Sequence, residues 1–156
     1  MIEVDVPGLG TIALEHLVLD LNGTIALDGQ VLPGVAERLA KLSSQLSVHL
    51  LSADARGLAA DTARRLGVNL ARVGPGHEAD QKRQFVKRVG QKDVVAVGNG
   101  ANDQQMLEAA ALGIAVLGRE GLALASLTAA DVVAGSIQDA LDLLLKPQRL
   151  ATTLRR

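Results

Sequence analysis

Apolar positions along the chain alternate between short solid runs and stripes spaced three and four residues apart. The first pattern marks buried strands and the second marks helices packed on them. The beginning differs: residues 2–6 and 11–14 are apolar-rich and flank Pro7-Gly8-Leu9-Gly10, which predicts a hairpin. His16-Leu-Val-Leu-Asp20 is a buried-strand run that stops on an acid. Pro33-Gly34 opens a helix to about Leu46, with Val35, Leu39, Leu42 and Leu46 on one stripe. Val48-His-Leu-Leu51 predicts a second strand ending at Ser52, followed by a helix over 55–66. A weak strand near Val68–Val73 leads through Gly74-Pro75-Gly76 to a helix from about Ala79 to Val89. Asp93-Val-Val-Ala-Val97 is the clearest parallel-type strand and runs into Gly98-Asn-Gly100. Asn102 reads as the N-cap of the next helix, which ends near Ala111. Gly113-Ile-Ala-Val116 and Asp131-Val-Val133 complete the strands. Ser136-Ile-Gln-Asp139 starts a helix in capping-box fashion, and Pro147 stops it after Leu145.

Strands alternating with helices predict an α/β three-layer sandwich around a mainly parallel, Rossmann-like sheet, with the N-terminal hairpin added. Its 156 residues fit a single domain spanning 1–156. In such sheets the binding crevice lies at the carboxyl ends of the strands. Asp20, Ser52 and Asn99 each stand where a predicted strand ends.

Composition narrows the function by exclusion. Phe85 is the single aromatic among Phe, Tyr and Trp, so no stacking platform exists for single-stranded nucleic acid. A net charge of −1 supplies no basic field for DNA or an anionic membrane. The absence of cysteine excludes disulfides, thiolate metal sites and a thiol nucleophile. No apolar run approaches the roughly 20 residues of a membrane span, and Met1-Ile-Glu-Val-Asp lacks the build of a signal peptide. A cytoplasmic protein is expected. His16, His49 and His77 are scattered without ligand spacing.

Chemistry concentrates in four segments. Asp20-Leu-Asn-Gly-Thr24 resembles the first signature of the haloacid dehalogenase superfamily. Val97-Gly-Asn-Gly-Ala-Asn-Asp103, with Met106-Leu107 after it, resembles the Gly-Asp-Gly-x-Asn-Asp motif of P-type ATPases, with Asn99 at the first Asp. Leu112-Gly-Ile-Ala-Val116 and Ala130-Asp-Val-Val133 continue the likeness, which covers roughly residues 17–145 and is closest to the soluble, stand-alone P-type-ATPase-like phosphatases. The resemblance implies a Mg²⁺-dependent phosphatase working through an aspartyl phosphate, on a small phosphorylated substrate or a phosphoprotein. It makes Asp20 the nucleophile and a metal ligand, with Asn22 (through its carbonyl), Asn99 and Asp103 completing the metal side. Gly23, Thr24, Ser52, Ala53, Lys82 and Asn102 fall on the phosphate side, with Lys82 also restraining Asp20. Lys87 is the fallback lysine, further along the helix and on another face. The physical logic agrees: a carboxylate can attack phosphorus and split one hard displacement into two, provided the phosphoryl charge is neutralised.

Two positions depart from the superfamily pattern. Many superfamily phosphatases place an Asp where Asn22 stands, to protonate the leaving alcohol and then activate water, and Asn does neither. Asn99 takes one negative charge from the metal shell, so Mg²⁺ binds more weakly. A weakened phosphate- or metal-binding regulatory protein of the same fold is therefore the alternative to an active phosphatase. Purely structural roles stay open as well. Asn-Gly is a tight-turn dipeptide, Ser52 or Asp54 suits a helix cap, and Lys82 suits a solvated helix face. Gly118-Arg-Glu-Gly121 reads as the turn before a helix, with no chemistry attached, and the basic tail as a solvated helix end. Only five residues separate Ile25 from Val31, and 29 separate Ser52 from Lys82, too few for a cap domain. An open active site, or one roofed in a homo-oligomer, is expected.

Overall fold

The computed structural model describes residues 1–54 and 57–156. The chain starts with β1 (Ile2–Val6) and β2 (Gly10–Leu14), an antiparallel pair with Val6 opposite Gly10. Ile2, Val4 and Val6 face inward, at the period of two that a half-buried strand requires.

The remaining main strands are β3 (His16–Asp20), β6 (Ser47–Ser52), β7 (Asn69–Arg72), β8 (Val94–Gly98), β9 (Leu112–Val116) and β10 (Val132–Ala134). They form one six-stranded sheet in the order β10-β9-β8-β3-β6-β7, parallel at every pairing. The chain leaves β3 to one side for β6 and β7, then returns to its other side for β8, β9 and β10. This reversal opens a crevice beyond the carboxyl ends of β3 and β8.

The predicted α/β sandwich is observed. Leu17 and Leu19 of β3 and Val95 and Val97 of β8 point into the larger core, while Val18, Val94 and Ala96 point into the smaller one. Helices α1 (Val35–Leu42), α2 (Leu58–Leu66), α6 (Ile137–Leu145) and α7 (Pro147–Leu154) cover the first face. Helices α3 (Glu78–Gly90), α4 (Gln104–Ala109) and α5 (Leu124–Ala129) cover the second. Each fully buried aliphatic side chain contributes about 1.5–3 kcal/mol, so a nearly aromatic-free core suffices.

Several boundaries move, for local reasons. Helix α1 ends at Leu42, and Leu46 reaches the core from the turn after it. Helix α2 begins at Leu58, and residues 55 and 56 of the predicted helix lie outside the described residues. Asn102 does not cap a helix: it sits inside a 3-10 turn over Ala101–Asp103. Ser136 does cap α6, accepting from the Asp139 N–H at 3.0 Å. Helix α6 ends at Leu145 ahead of Pro147, as expected, but Pro147 then opens a further helix, α7, where its missing N–H costs nothing. Helix α5 follows the Gly118–Gly121 turn, where the sequence places a helix entry. Between Ile25 and Val31 the chain makes only β4 (Ala26–Leu27) and β5 (Gln30–Val31), turned at Asp28-Gly29 with both φ angles positive. That small hairpin stands where a cap domain would begin.

Candidate active site

Asp20 is the last residue of β3, Ser52 the last of β6, and Asn99 follows the last residue of β8. Because β3 lies between β6 and β8, the topology gathers all three at one end of the sheet. A cleft of about 550 Å³ opens there, lined among others by Asp20, Asn22, Ser52, Lys82, Asn99 and Asn102. Ala53 also reaches it.

Lys82 comes from α3, whose inward stripe is Lys82, Phe85 and Val86. The i, i+3, i+4 spacing puts the lysine on the sheet-facing side, one turn before the apolar pair. Its ammonium, 2% exposed, donates to Asp20 Oδ1 and Asp103 Oδ1, each at 2.8 Å. Lys87 lies on the exposed side of the same helix. The second oxygen of Asp20 accepts from Thr24 Oγ1 at 3.2 Å, and that hydroxyl also lies 3.2 Å from Asn99 Oδ1.

Asp103 is fully buried. While Oδ1 meets Lys82, Oδ2 accepts from the N–H groups of Asn99 and Gly100, both at 3.0 Å. It packs so closely on Gly98 that a Cβ there would come 2.5 Å from Asp103 Cγ. Both oxygens are thus committed, and Asp103 stands behind the cleft rather than on its wall. Thr24 is likewise buried behind Asp20, and the Gly23 N–H is spent on Ala26 O at 2.8 Å. Neither is brought to the cleft wall as the phosphate contact expected for it.

Ser52 is buried with its oxygen accepting from the Asp54 N–H at 3.1 Å, which leaves its proton free for a ligand. Asp54 serves the first turn of α2 through Ala59 N–H at 2.9 Å. Asn102 donates to Glu78 Oε2 at 2.8 Å, and this acid from the start of α3 also lines the cleft. A third cleft acid, Glu120, comes from the turn that reads as structure alone in sequence.

Among the described residues the cleft is short of positive charge: Asp20, Glu78 and Glu120 face it against one cation, Lys82. Burial, and then the charge of Asp103, push the Asp20 carboxyl up from 3.8 to about 6, although Lys82 and Thr24 pull it down. Burial works against the Lys82 ammonium, but Asp20 and Asp103 together hold its pKa above the ordinary value. Away from the cleft, His16 Nδ1 and His49 Nε2 lie 3.2 Å apart, with His49 pushed down by burial and then by His16.

Residues 1–111 match the family model of the haloacid dehalogenase-like hydrolases. The chain belongs to this family. An uncharacterized protein of Methanocaldococcus jannaschii is 47% identical to this hydrolase over 64 residues, 41% of the chain and 69% of that protein. The chloroplastic copper-transporting ATPase of Arabidopsis thaliana is 31% identical over 106 residues, 66% of the hydrolase but 11% of the transporter. Among solved structures, 3-deoxy-D-manno-octulosonate 8-phosphate phosphatase from Moraxella catarrhalis, held with magnesium, phosphate and KDO, superposes with a TM-score of 0.67. It is 17% identical, over 89% of this chain and 92% of its own, a likeness of fold. No helix among the described residues is long and apolar enough to cross a membrane.

Proposed function

We propose that the chain is a Mg²⁺-dependent phosphatase that acts on a small phosphorylated substrate or a phosphoprotein, with Asp20 as nucleophile. One observation carries the reading. A carboxylate at the end of the central strand faces an open cleft, with a buried ammonium on one oxygen and a hydroxyl on the other. The outer lone pairs of Asp20 attack phosphorus, the ester oxygen leaves with its electron pair, and an aspartyl phosphate forms. Water then attacks phosphorus, releasing phosphate and restoring the carboxylate. Lys82 holds Asp20 in place and offsets charge throughout, and Asp103 keeps Lys82 from swinging away. The Ser52 hydroxyl, the Ala53 N–H and the Asn102 amide supply donors for phosphoryl oxygens.

The donors present suit a hard cation: the Asp20 carboxylate, the Asn22 carbonyl and the Asn99 amide are all oxygen ligands. A phosphate dianion entering a cleft with three acids and one base among the described residues also needs more positive charge than Lys82 provides. Bound there, Mg²⁺ supplies that charge to the phosphoryl oxygens. Asn22 is exposed in the cleft without an acidic proton, so the leaving group departs unaided. The same residue favours a second reading, a binding protein with little turnover. Assembly into a homo-oligomer that roofs the cleft belongs to the same proposal.

Phosphate release from an aryl phosphate, with and without Mg²⁺, separates the two readings. Beryllofluoride should protect the wild type and not Asp20→Asn. A mutant keeping most of the wild-type rate overturns the mechanism.

A further inference from the structure

Glu120 sits at the tip of a tight turn beyond β9, closed by the Gly121 N–H donating to Gly118 O at 3.0 Å. The turn is tied to the cleft at two points. Asn99 Nδ2 donates to Gly121 O at 3.3 Å, and Ala123 N–H donates to Asn99 O at 2.9 Å. These ties lay the Glu120 carboxylate directly over the Cα of Gly23. A Cβ on Gly23 would overlap Glu120 Oε2 and lie 3.3 Å from Asn99 Nδ2. Gly23, with φ +79°, thus provides the bare backbone surface that lets this acid approach. Among the described residues Glu120 has no hydrogen-bond donor and no ion-pair partner. Asp103, by contrast, is sealed behind Lys82. The cleft therefore places an uncommitted carboxylate beside the neutral Asn99 amide and the Asn22–Gly23 peptide.

We propose that Glu120 is the second anionic group of the cation subsite, supplying the charge that Asn99 does not. This inference rests on the proposed Mg²⁺ site at Asp20. Mg²⁺ ordinarily keeps several waters and takes one or two carboxylates, so Glu120 serves either by direct ligation or by holding a metal-bound water. Carboxylates in that outer position are worth about 10- to 100-fold in metal affinity.

The test is Mn²⁺ binding by the full chain without substrate, read from the electron paramagnetic resonance of free Mn²⁺. Glu120→Gln should raise the Kd about 10-fold or more. Adding Asn99→Asp to that variant should restore most of the affinity. Glu78→Gln removes an equal charge from the same cleft and should change the Kd less than about threefold at physiological salt. Circular dichroism checks that each variant is folded, which the exposure of Glu120 favours. If Asp20→Asn abolishes binding while Glu120→Gln leaves it unchanged, the Glu120 assignment fails and the proposed phosphatase stands. Equal losses in Glu120→Gln and Glu78→Gln also overturn it, since the effect is then a diffuse field. If Asp20→Asn binds Mn²⁺ like the wild type, the cation site itself is wrong and both readings fall.

Discussion

Lys82 and Asp20 stand 62 positions apart in sequence, and their charged atoms meet at 2.8 Å inside the protein. The same ammonium meets Asp103 at 2.8 Å, so one cation serves two carboxylates that water barely reaches. Folding has brought like charges together, and Lys82 keeps them tolerable.

Lys82→Met should accordingly do more than abolish turnover. Removing one partner of a buried ionic cluster leaves charge uncompensated and costs about 3–5 kcal/mol. The loss should be largest near neutral pH and shrink in acid, where the Asp20 carboxyl protonates. Urea unfolding of both proteins across pH, without metal, measures it. A flat deficit at all pH values would mean the lysine acts by packing alone.

Asp20→Asn should behave oppositely for stability. The folded Asp20 carboxyl titrates at about 6 against 3.8 when unfolded, so between these values the folded state holds the extra proton. Metal-free wild type therefore loses stability as pH rises from about 4 to about 6, and the amide has no such proton to lose. The new N–H can donate to Thr24 Oγ1, whose own proton then serves Asn99. Melting in EDTA should show the variant above the wild type at pH 7.5, by up to roughly 3 kcal/mol, with the advantage gone by about pH 4. Phosphatase activity should vanish in the same variant.

In the proposed mechanism, Asn22 should set the dependence on leaving group. General acid assistance is worth about a hundred- to ten-thousand-fold, so alkyl and sugar phosphates should suffer while aryl and acyl phosphates are spared. Slow hydrolysis of the aspartyl phosphate should then produce a burst followed by slow turnover. Asn22→Asp should speed alkyl esters more than aryl ones. Rates over esters of graded leaving-group acidity, for both proteins, provide the check; indifference to leaving group with no burst rules the role out.

In the proposed site, Asn99 should govern the metal requirement. With a neutral amide at Asn99, the proposed site predicts Mg²⁺ activation in the millimolar range, and Asn99→Asp should lower the midpoint by about tenfold. Titrating activity against Mg²⁺ decides it, an unchanged or higher midpoint counting against the assignment.

Much of this arrangement was legible in the chain because its signals are local. His16–Asp20 and Val94–Gly98 are solid apolar runs, and Asp20, Thr24, Lys82 and Asp103 lie in ordered motifs around them. What a residue faces was less visible. Asp103 reads equally well as a metal ligand and as the anchor of Lys82, since only geometry shows its oxygens already taken. Asn102 carries a good capping side chain, yet it bonds Glu78 across the cleft, a long-range partner no window contains. Glu120 was hidden for the same reason. Its importance lies in touching Gly23, and a turn sequence of Gly, Arg, Glu and Gly advertises only the turn.

The turn bearing Glu120 has a far side. Leu117, Gly118 and Arg119 border a second, greasier cavity of about 690 Å³, together with Leu32, Pro33 and Ile137. The segment is thus a thin partition between a polar chamber and an oily one. For inhibitor chemistry this changes the starting point. Compounds aimed at phosphatase clefts must imitate a dianion, which crosses cell membranes poorly. The neighbouring cavity, more apolar in its lining, shares its wall with the cleft, so a compound held there need not imitate a dianion.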